Sequence, residues 1–223
     1  MSAFGNPEIP TNGLEINLDV FNTVSYPGSG TSIYNVSRDR TNIGVHTITG
    51  TGFVYEDGIP TIECSGSDII TAAATIQSSL GDDYCYYGFT KMMADHGTWR
   101  TLFRGTPEDH MILIQTSTNE LGFYDNDGGG WLSSGYDISP HAETWFSICA
   151  NAYDGDTTDY YINGDFVGSV ARNATGQSHD RIGNYSALSQ PWGWVSQALL
   201  YNRQLTLGEI KRIHEAFRSR YKI

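Results

Sequence analysis

The side chains able to do chemistry are spread along the chain, and their spacing decides which chemistry is open to them. Glycosidic hydrolysis needs two carboxylates flanking the scissile bond. A strand can supply them when acids recur at every second residue, because successive side chains alternate faces. No Glu-x-Asp-x-Glu or Glu-x-Asp-x-x-Glu run occurs; Glu15 and Asp19 share a strand and a face but lack a third acid, and are expected to be solvent-facing. Asp125-Asn126-Asp127-Gly128-Gly129-Gly130 and Asp154-Gly155-Asp156 offer the oxygen atoms and backbone freedom that a hard cation requires. Asp125 and Asp127 are the candidate calcium ligands, yet the run lacks the closing Glu of an EF-hand loop, and Asp/Gly clusters are also ordinary turn composition. Trp131, Tyr136 and Trp192 are flanked by Gly, Ser and Pro, which predicts loops or strand ends. Exposed rings of this kind stack on sugars or anchor interfaces, so these three are the candidate ligand-binding residues. Trp145 and Trp194 lie inside strand-like runs and read as core.

Other reaction classes find little support. His46, His96, His110, His141, His179 and His214 show neither HxH nor HExxH spacing. Tyr26-Pro27-Gly28-Ser29-Gly30 comes near a nucleophile elbow, but its proline and flanks read as a loop. A Ser/His/Asp set drawn from distant positions stays open. No glycine-rich loop opens a helix, so nucleotide binding has no support. Cys64, Cys85 and Cys149 are odd in number and lack CxxC spacing; they read as free thiols packed as small hydrophobes in a chain that folds under reducing conditions. Asn35, Asn173 and Asn184 open Asn-x-Ser/Thr triplets, read here as chance occurrences.

The elements that must position these residues are mostly strands. Residues 14–20 alternate apolar and polar, and 51–55 and 59–64 flank Asp57-Gly58, a hairpin signal. Residues 84–93, 98–103, 110–115, 120–124, 144–153 and 181–185 are further strands, with both faces of 144–153 suited to burial. Asn163-Gly164 joins the clearest hairpin, because it supplies the two positive φ values of a type I′ turn. Residues 193–201 read as a buried strand, followed by a helix over 207–219. Thr206 and Glu209 form its capping box, and Leu207, Ile210, Ile213, His214, Phe217 and Tyr221 recur at helical spacing as one apolar stripe.

Bulk properties agree with one large β domain: 223 residues, 25 Gly, 14 Tyr and only 17% charged residues. The net charge of −12 is uneven, since the last 21 residues carry +4 and leave −16 for the rest. An acidic body repels nucleic acid and anionic membranes, and the basic end reads as the solvated face of a helix lying on an acidic sheet. No hydrophobic stretch follows Met1 and no apolar run is long enough to span a bilayer, so neither a secretory signal nor a membrane segment is expected.

Several motifs carry a resemblance. Gly-Leu-x-x-x-Leu-Asp at residues 13–19, Ser25-Tyr26-Pro27-Gly28-Ser29-Gly30-Thr31 and Tyr34-Asn35-Val36-Ser37 resemble the opening of laminin-G-like, concanavalin A-like jelly-roll domains. Thr61-Ile62-Glu63-Cys64-Ser65-Gly66-Ser67-Asp68 matches a strand ending in a Gly-containing turn. Tyr201-Asn202-Arg203-Gln204-Leu205-Thr206, followed by Glu209-Ile210, is similar to the closing strand and helix. The resemblance implies an all-β, two-sheet antiparallel jelly roll with a short C-terminal helix, comprising an extended arm over 1–12 and one domain over 13–223. Such domains occur in phage and other viral structural proteins and in bacterial surface proteins. The first expectation is therefore a non-enzymatic virion or decoration protein, assembled in a host cytoplasm and carried on the virion. Capsid or tail proteins and copies of the chain would be its partners, without nucleic acid or membrane. The alternative is a carbohydrate-binding adhesion module for surface glycans, with no cofactor unless calcium assists.

Overall fold

The computed structural model describes residues 7–37, 45–50, 52–72, 80–94, 97–107, 109–186 and 190–223. His96, part of the 1–12 arm and the start of the 51–55 strand lie outside the described residues. The strands are β1 (Leu14–Asp19), β2 (Ser32–Tyr34), β3 (Val45–Thr49), β4 (Gly52–Glu56), β5 (Ile59–Cys64), β6 (Ile69–Ala72), β7 (Tyr84–Met92) and β8 (Arg100–Thr106). They continue as β9 (His110–Ile114), β10 (Glu120–Asp125), β11 (Gly130–Asp137), β12 (Trp145–Tyr153), β13 (Thr157–Ile162), β14 (Asp165–Val170), β15 (Ser178–Ile182) and β16 (Gly193–Tyr201), and the helix α1 (Leu207–Tyr221) follows. One eight-stranded sheet runs β14-β13-β12-β7-β16-β5-β4 with β1 also paired to β16; the other runs β11-β10-β9-β8-β15-β6-β3-β2. The pairing of these strands is antiparallel throughout.

Two apolar layers explain the strand sequences. The inner faces of the two sheets meet in one core, to which β7 gives Tyr84 and Tyr86, β12 gives Phe146, Ile148 and Ala150, and β9 gives Met111, Ile112 and Ile114. The outer face of the first sheet carries a second cluster beneath α1, where Cys85, Tyr87, Phe89, Trp145 and Cys149 meet Ile210, Ile213, Phe217 and Tyr221. Strands covered on both faces need no polar alternation, which is why β7 is buried along its whole length. Burying four large helix side chains contributes about 1.5–3 kcal/mol each. Tyr221 stacks on Phe89 at 4.7 Å. Leu207 departs from the expected stripe: it is 51% exposed, because in the first turn it faces away from the sheet.

Local signals match their structures. Thr206 Oγ1 accepts from the Glu209 amide and the Glu209 carboxylate accepts from the Thr206 amide. Arg203 grips the same carboxylate at 2.5 Å, and with the cap holds the Glu209 carboxyl down at about 2. Asp57 and Gly58 have φ of 53° and 79°, Asn163 and Gly164 of 52° and 83°, as two type I′ turns require. The basic helix is tied to acids of the body through Arg220–Asp19 at 3.0 Å and Lys211–Asp165 at 3.5 Å. Pro10 and Asn12 accept from Tyr201 and Arg203, so residues 10–12 lie along the end of β16. Among the described residues, no helix is long and apolar enough to cross a membrane.

An aromatic cleft on the outer face of the second sheet

Among the described residues, no α-helix covers the outer face of the second sheet. There β8, β9 and β10 form the floor of a cleft of about 250 Å³ lined by Trp99, His110, Tyr124, Asn126, Tyr185 and Gln190, with Leu113 beneath. Trp99 precedes β8, His110 begins β9, Tyr124 lies on β10, and Tyr185 and Gln190 come from the segment entering β16. The registers of β8–β9 and β9–β10 slip at Phe103/Arg104 and Gly122/Tyr124. Such bulges re-aim side chains, and here Met111 and Ile112, adjacent in sequence, both reach the core while His110 faces the cleft.

The segment after β15 is held by Asn184, whose Oδ1 accepts from the amides of Tyr185 at 2.8 Å and Gln190 at 3.0 Å. Gly183 enables this path. Its φ is +85° and an added Cβ would meet Cys64 Sγ at 2.3 Å. Asn35, Asn173 and Asn184 are all buried and hydrogen-bonded to the backbone, so the three triplets serve turns and loops.

The rings interlock. Trp99 makes edge contacts with Tyr124 at 5.8 Å and Trp131 at 5.2 Å, and His110 lies 5.4 Å from Tyr185. Arg104 covers Tyr185 at 4.6 Å and pairs with Asp180 at 2.8 Å. Burial, with the nearby Arg104 charge, pushes the His110 imidazole down to about 3, so it is neutral at ordinary pH.

The structure separates the three aromatic residues expected to share a site. Trp131 stands behind Trp99 on the outer face. Tyr136 lies five residues on and therefore points inward, packing on the core with its hydroxyl 2.9 Å from His141 Nε2. Trp192 is no surface residue: it is fully buried and its indole N–H donates to Thr90 Oγ1 at 2.5 Å. Trp194, expected in the core, is half-buried beside the helix cluster with Lys91 Nζ 5.2 Å from its ring. Trp99, Tyr124, Tyr185 and His110 escaped the sequence reading, although Gly97-Thr98 before Trp99 and Gly183-Asn184 before Tyr185 carry the same loop signal.

Asp125 and Asp127 gather with Asp109, their carboxylate oxygens lying within 4.8 Å of one another. Arg172 occupies the middle of this group, 3.1 Å from Asp125 Oδ2 through Nε and 4.0 Å from Asp109 Oδ2 through Nη2. Asp125 Oδ1 accepts from the Asp127 amide and from Arg172. Arg172 thus supplies a counter-charge to Asp125, whose Oδ1 already accepts two hydrogen bonds. A calcium ion bound to these three acids would compete with Arg172 for Asp125. These acids do not resemble a hydrolytic pair: Asp109 is sealed from solvent, its carboxyl pushed up by burial, and Asp125 is committed to Arg172. Asp154 and Gly155, at φ of 56° and 74°, make an ordinary hairpin turn.

Glu15, Asp19 and Ser147 also have structural partners. Asp19 pairs with Arg220, and Glu15 accepts from Asn202, so neither is a bare solvent-facing acid. Ser147 Oγ lies 3.0 Å from His214 Nδ1, but Ser147 is enclosed under α1, out of reach of a substrate. The three cysteines are free and buried, with Cys85 and Cys149 sulfurs 3.3 Å apart; burial pushes the Cys64 and Cys149 thiols up, away from reactivity.

No family model matches this chain. No curated protein matches it either. Solved structures do. A Trypanosoma rangeli sialidase aligns with a TM-score of 0.66 at 12% identity, covering 96% of this chain and 34% of that one. The same sialidase in complex with sialic acid gives 0.65 at 14%, covering 96% and 35%. The HCR/D F1240A mutant gives 0.64 at 11%, covering 93% of this chain and 52% of that one. The chain thus spans about a third of the sialidases, and at these identities the likeness concerns the fold alone. It is an all-β, two-sheet antiparallel jelly-roll sandwich with one C-terminal helix.

Proposed function

We propose that this protein is a non-enzymatic carbohydrate-binding module whose ligand sits in the Trp99–Tyr124–Tyr185 cleft. The observation that carries the reading is that cleft: three part-exposed rings beside His110, Asn126 and Gln190, on the sheet face opposite the core. Aromatic faces hold the apolar side of a sugar while a few polar groups fix its hydroxyls. The absence of catalysis is part of the proposal, because Asp109 is sealed and Asp125 is paired with Arg172, which leaves exposed Asp127 without a partner acid for hydrolysis. Calcium is not part of it. Binding of the whole chain to a glycan array tests the reading. A positive signal lost in Trp99→Ala supports it, and no signal on any glycan rejects it.

A place on a virion surface, with capsid or tail proteins and further copies of the chain as partners, rests on the opening and closing motifs alone. It is compatible with glycan adhesion. Co-sedimentation with purified particles in the presence of excess sugar tests it separately.

A further inference from the structure

Resting on the glycan-binding reading, we propose that the cleft selects an uncharged sugar and reads one of its hydroxyls through Nε2 of His110, a fixed hydrogen-bond acceptor. The lining decides the charge class. Trp99, Leu113, Tyr124, Asn126, Tyr185 and Gln190 carry no charge, and His110 carries none at ordinary pH. The nearest cation is engaged: Arg104 donates to Asp180 at 2.8 Å and to the Pro107 carbonyl at 3.4 Å, with its plane against Tyr185. Asn126 of the lining is followed by the exposed Asp127, so a ligand carboxylate or sulfate there would meet like charge.

The hydroxyl contact follows from counting protons. Thr101 Oγ1 lies 2.5 Å from Gln190 Oε1 and 2.9 Å from His110 Nδ1. Gln190 Oε1 only accepts, so the single Thr101 proton goes to it, and His110 Nδ1 must carry the proton donated to Thr101. A neutral imidazole protonated at Nδ1 keeps a lone pair on Nε2. With Nδ1 turned to fully buried Thr101, the Nε2 edge is the one that lines the cleft. The groups facing His110 are Thr101 and Arg104 of β8, Tyr124 of β10, and Tyr185 and Gln190 of the following segment. None is a carboxylate that would raise its basicity at close range.

The test presents the whole chain with an array of neutral hexose oligosaccharides and their sialylated and sulfated counterparts. Calorimetry then follows the best neutral methyl glycoside between about pH 5 and 8. The expected result is binding to neutral members only, with an affinity unchanged across that range. His110→Phe should weaken it about tenfold, and His110→Gln, which keeps an acceptor, should restore part of the loss. Thermal melts confirm that both variants fold, and the pH series uses the unmodified chain. Preference for anionic glycans, affinity that falls through the ordinary histidine range, or an unaffected His110→Phe variant would overturn this inference and leave the module reading standing. Silence on every glycan would overturn both.

Discussion

Acid should destabilise this fold well before its carboxylates titrate, and His46 shows why. Its ring on β3 is fully buried, neither nitrogen has a hydrogen-bond partner, and the His179 ring lies 5.6 Å away. Nδ1 of His179 is 3.3 Å from the Tyr86 hydroxyl reaching across from β7. Burial holds His46 neutral down to about 4, and burial together with the His46 charge pushes His179 well below its ordinary value. An unfolded histidine takes up a proton near 6.5. Between 6.5 and about 4 the unfolded chain therefore binds more protons than the folded one, and stability falls as pH falls. It is fully present above 6.5. Each pH unit is worth about 1.36 kcal/mol per proton, so His46 alone removes about 3 kcal/mol across that window. A typical domain has only about 5–15 kcal/mol to lose. Urea melts at a series of pH values measure the slope directly. His46→Leu replaces an unpaired buried polar ring by an apolar group, a change close to neutral above pH 7, and it should lower the slope by up to about 1.36 kcal/mol per pH unit. A variant that keeps the full wild-type slope would show that His46 does not stay neutral in the folded protein, and the argument from burial would fail.

Four further outcomes are expected. Trp99→Ala should weaken glycan binding by about 2 kcal/mol in calorimetry, the cost typical of a central aromatic anchor, with a smaller loss in Trp131→Ala, which acts only by backing Trp99. Trp192→Ala should instead lower stability by about 3–5 kcal/mol in chemical denaturation, because it opens a cavity in the core and removes the hydrogen bond to Thr90. Thr206→Ala removes one half of the capping box and should cost about 1 kcal/mol by the same assay. Excess chelator or added calcium should leave the melting temperature and glycan affinity unchanged, because Arg172 already neutralises Asp125; a clear rise in melting temperature with calcium would contradict that account.

What could be read from the sequence and what could not divides along a physical line. Turn chemistry, caps and strand alternation are local, so Asn163-Gly164, Asp57-Gly58 and Thr206/Glu209 announce themselves within four residues. The cleft is not local. Its members sit just before β8, on β9, on and just after β10 and on the segment after β15, and become neighbours only through the sheet order β10-β9-β8-β15. Flanking Gly, Ser and Pro correctly suggest that a ring lies near a strand end, but not which face it takes. An odd separation of five residues sends Trp131 outward and Tyr136 inward on one strand. Trp192 fails for a different reason: its backbone N–H pairs with Gly183 and its indole with Thr90, so a Pro-flanked position is drawn between the sheets. The same local reading offered Asp125 and Asp127 as calcium ligands or turn residues, and could not show Arg172, which reaches Asp125 from beyond the end of β14. In a fold where register and sheet order assign every partner, the identity of a side chain sets what it can do, and its place in the pairing sets whether it does it. Trp99 and Trp192, seven residues beyond β7 and one residue before β16, are the same indole placed in a surface cleft and in the core by that difference alone.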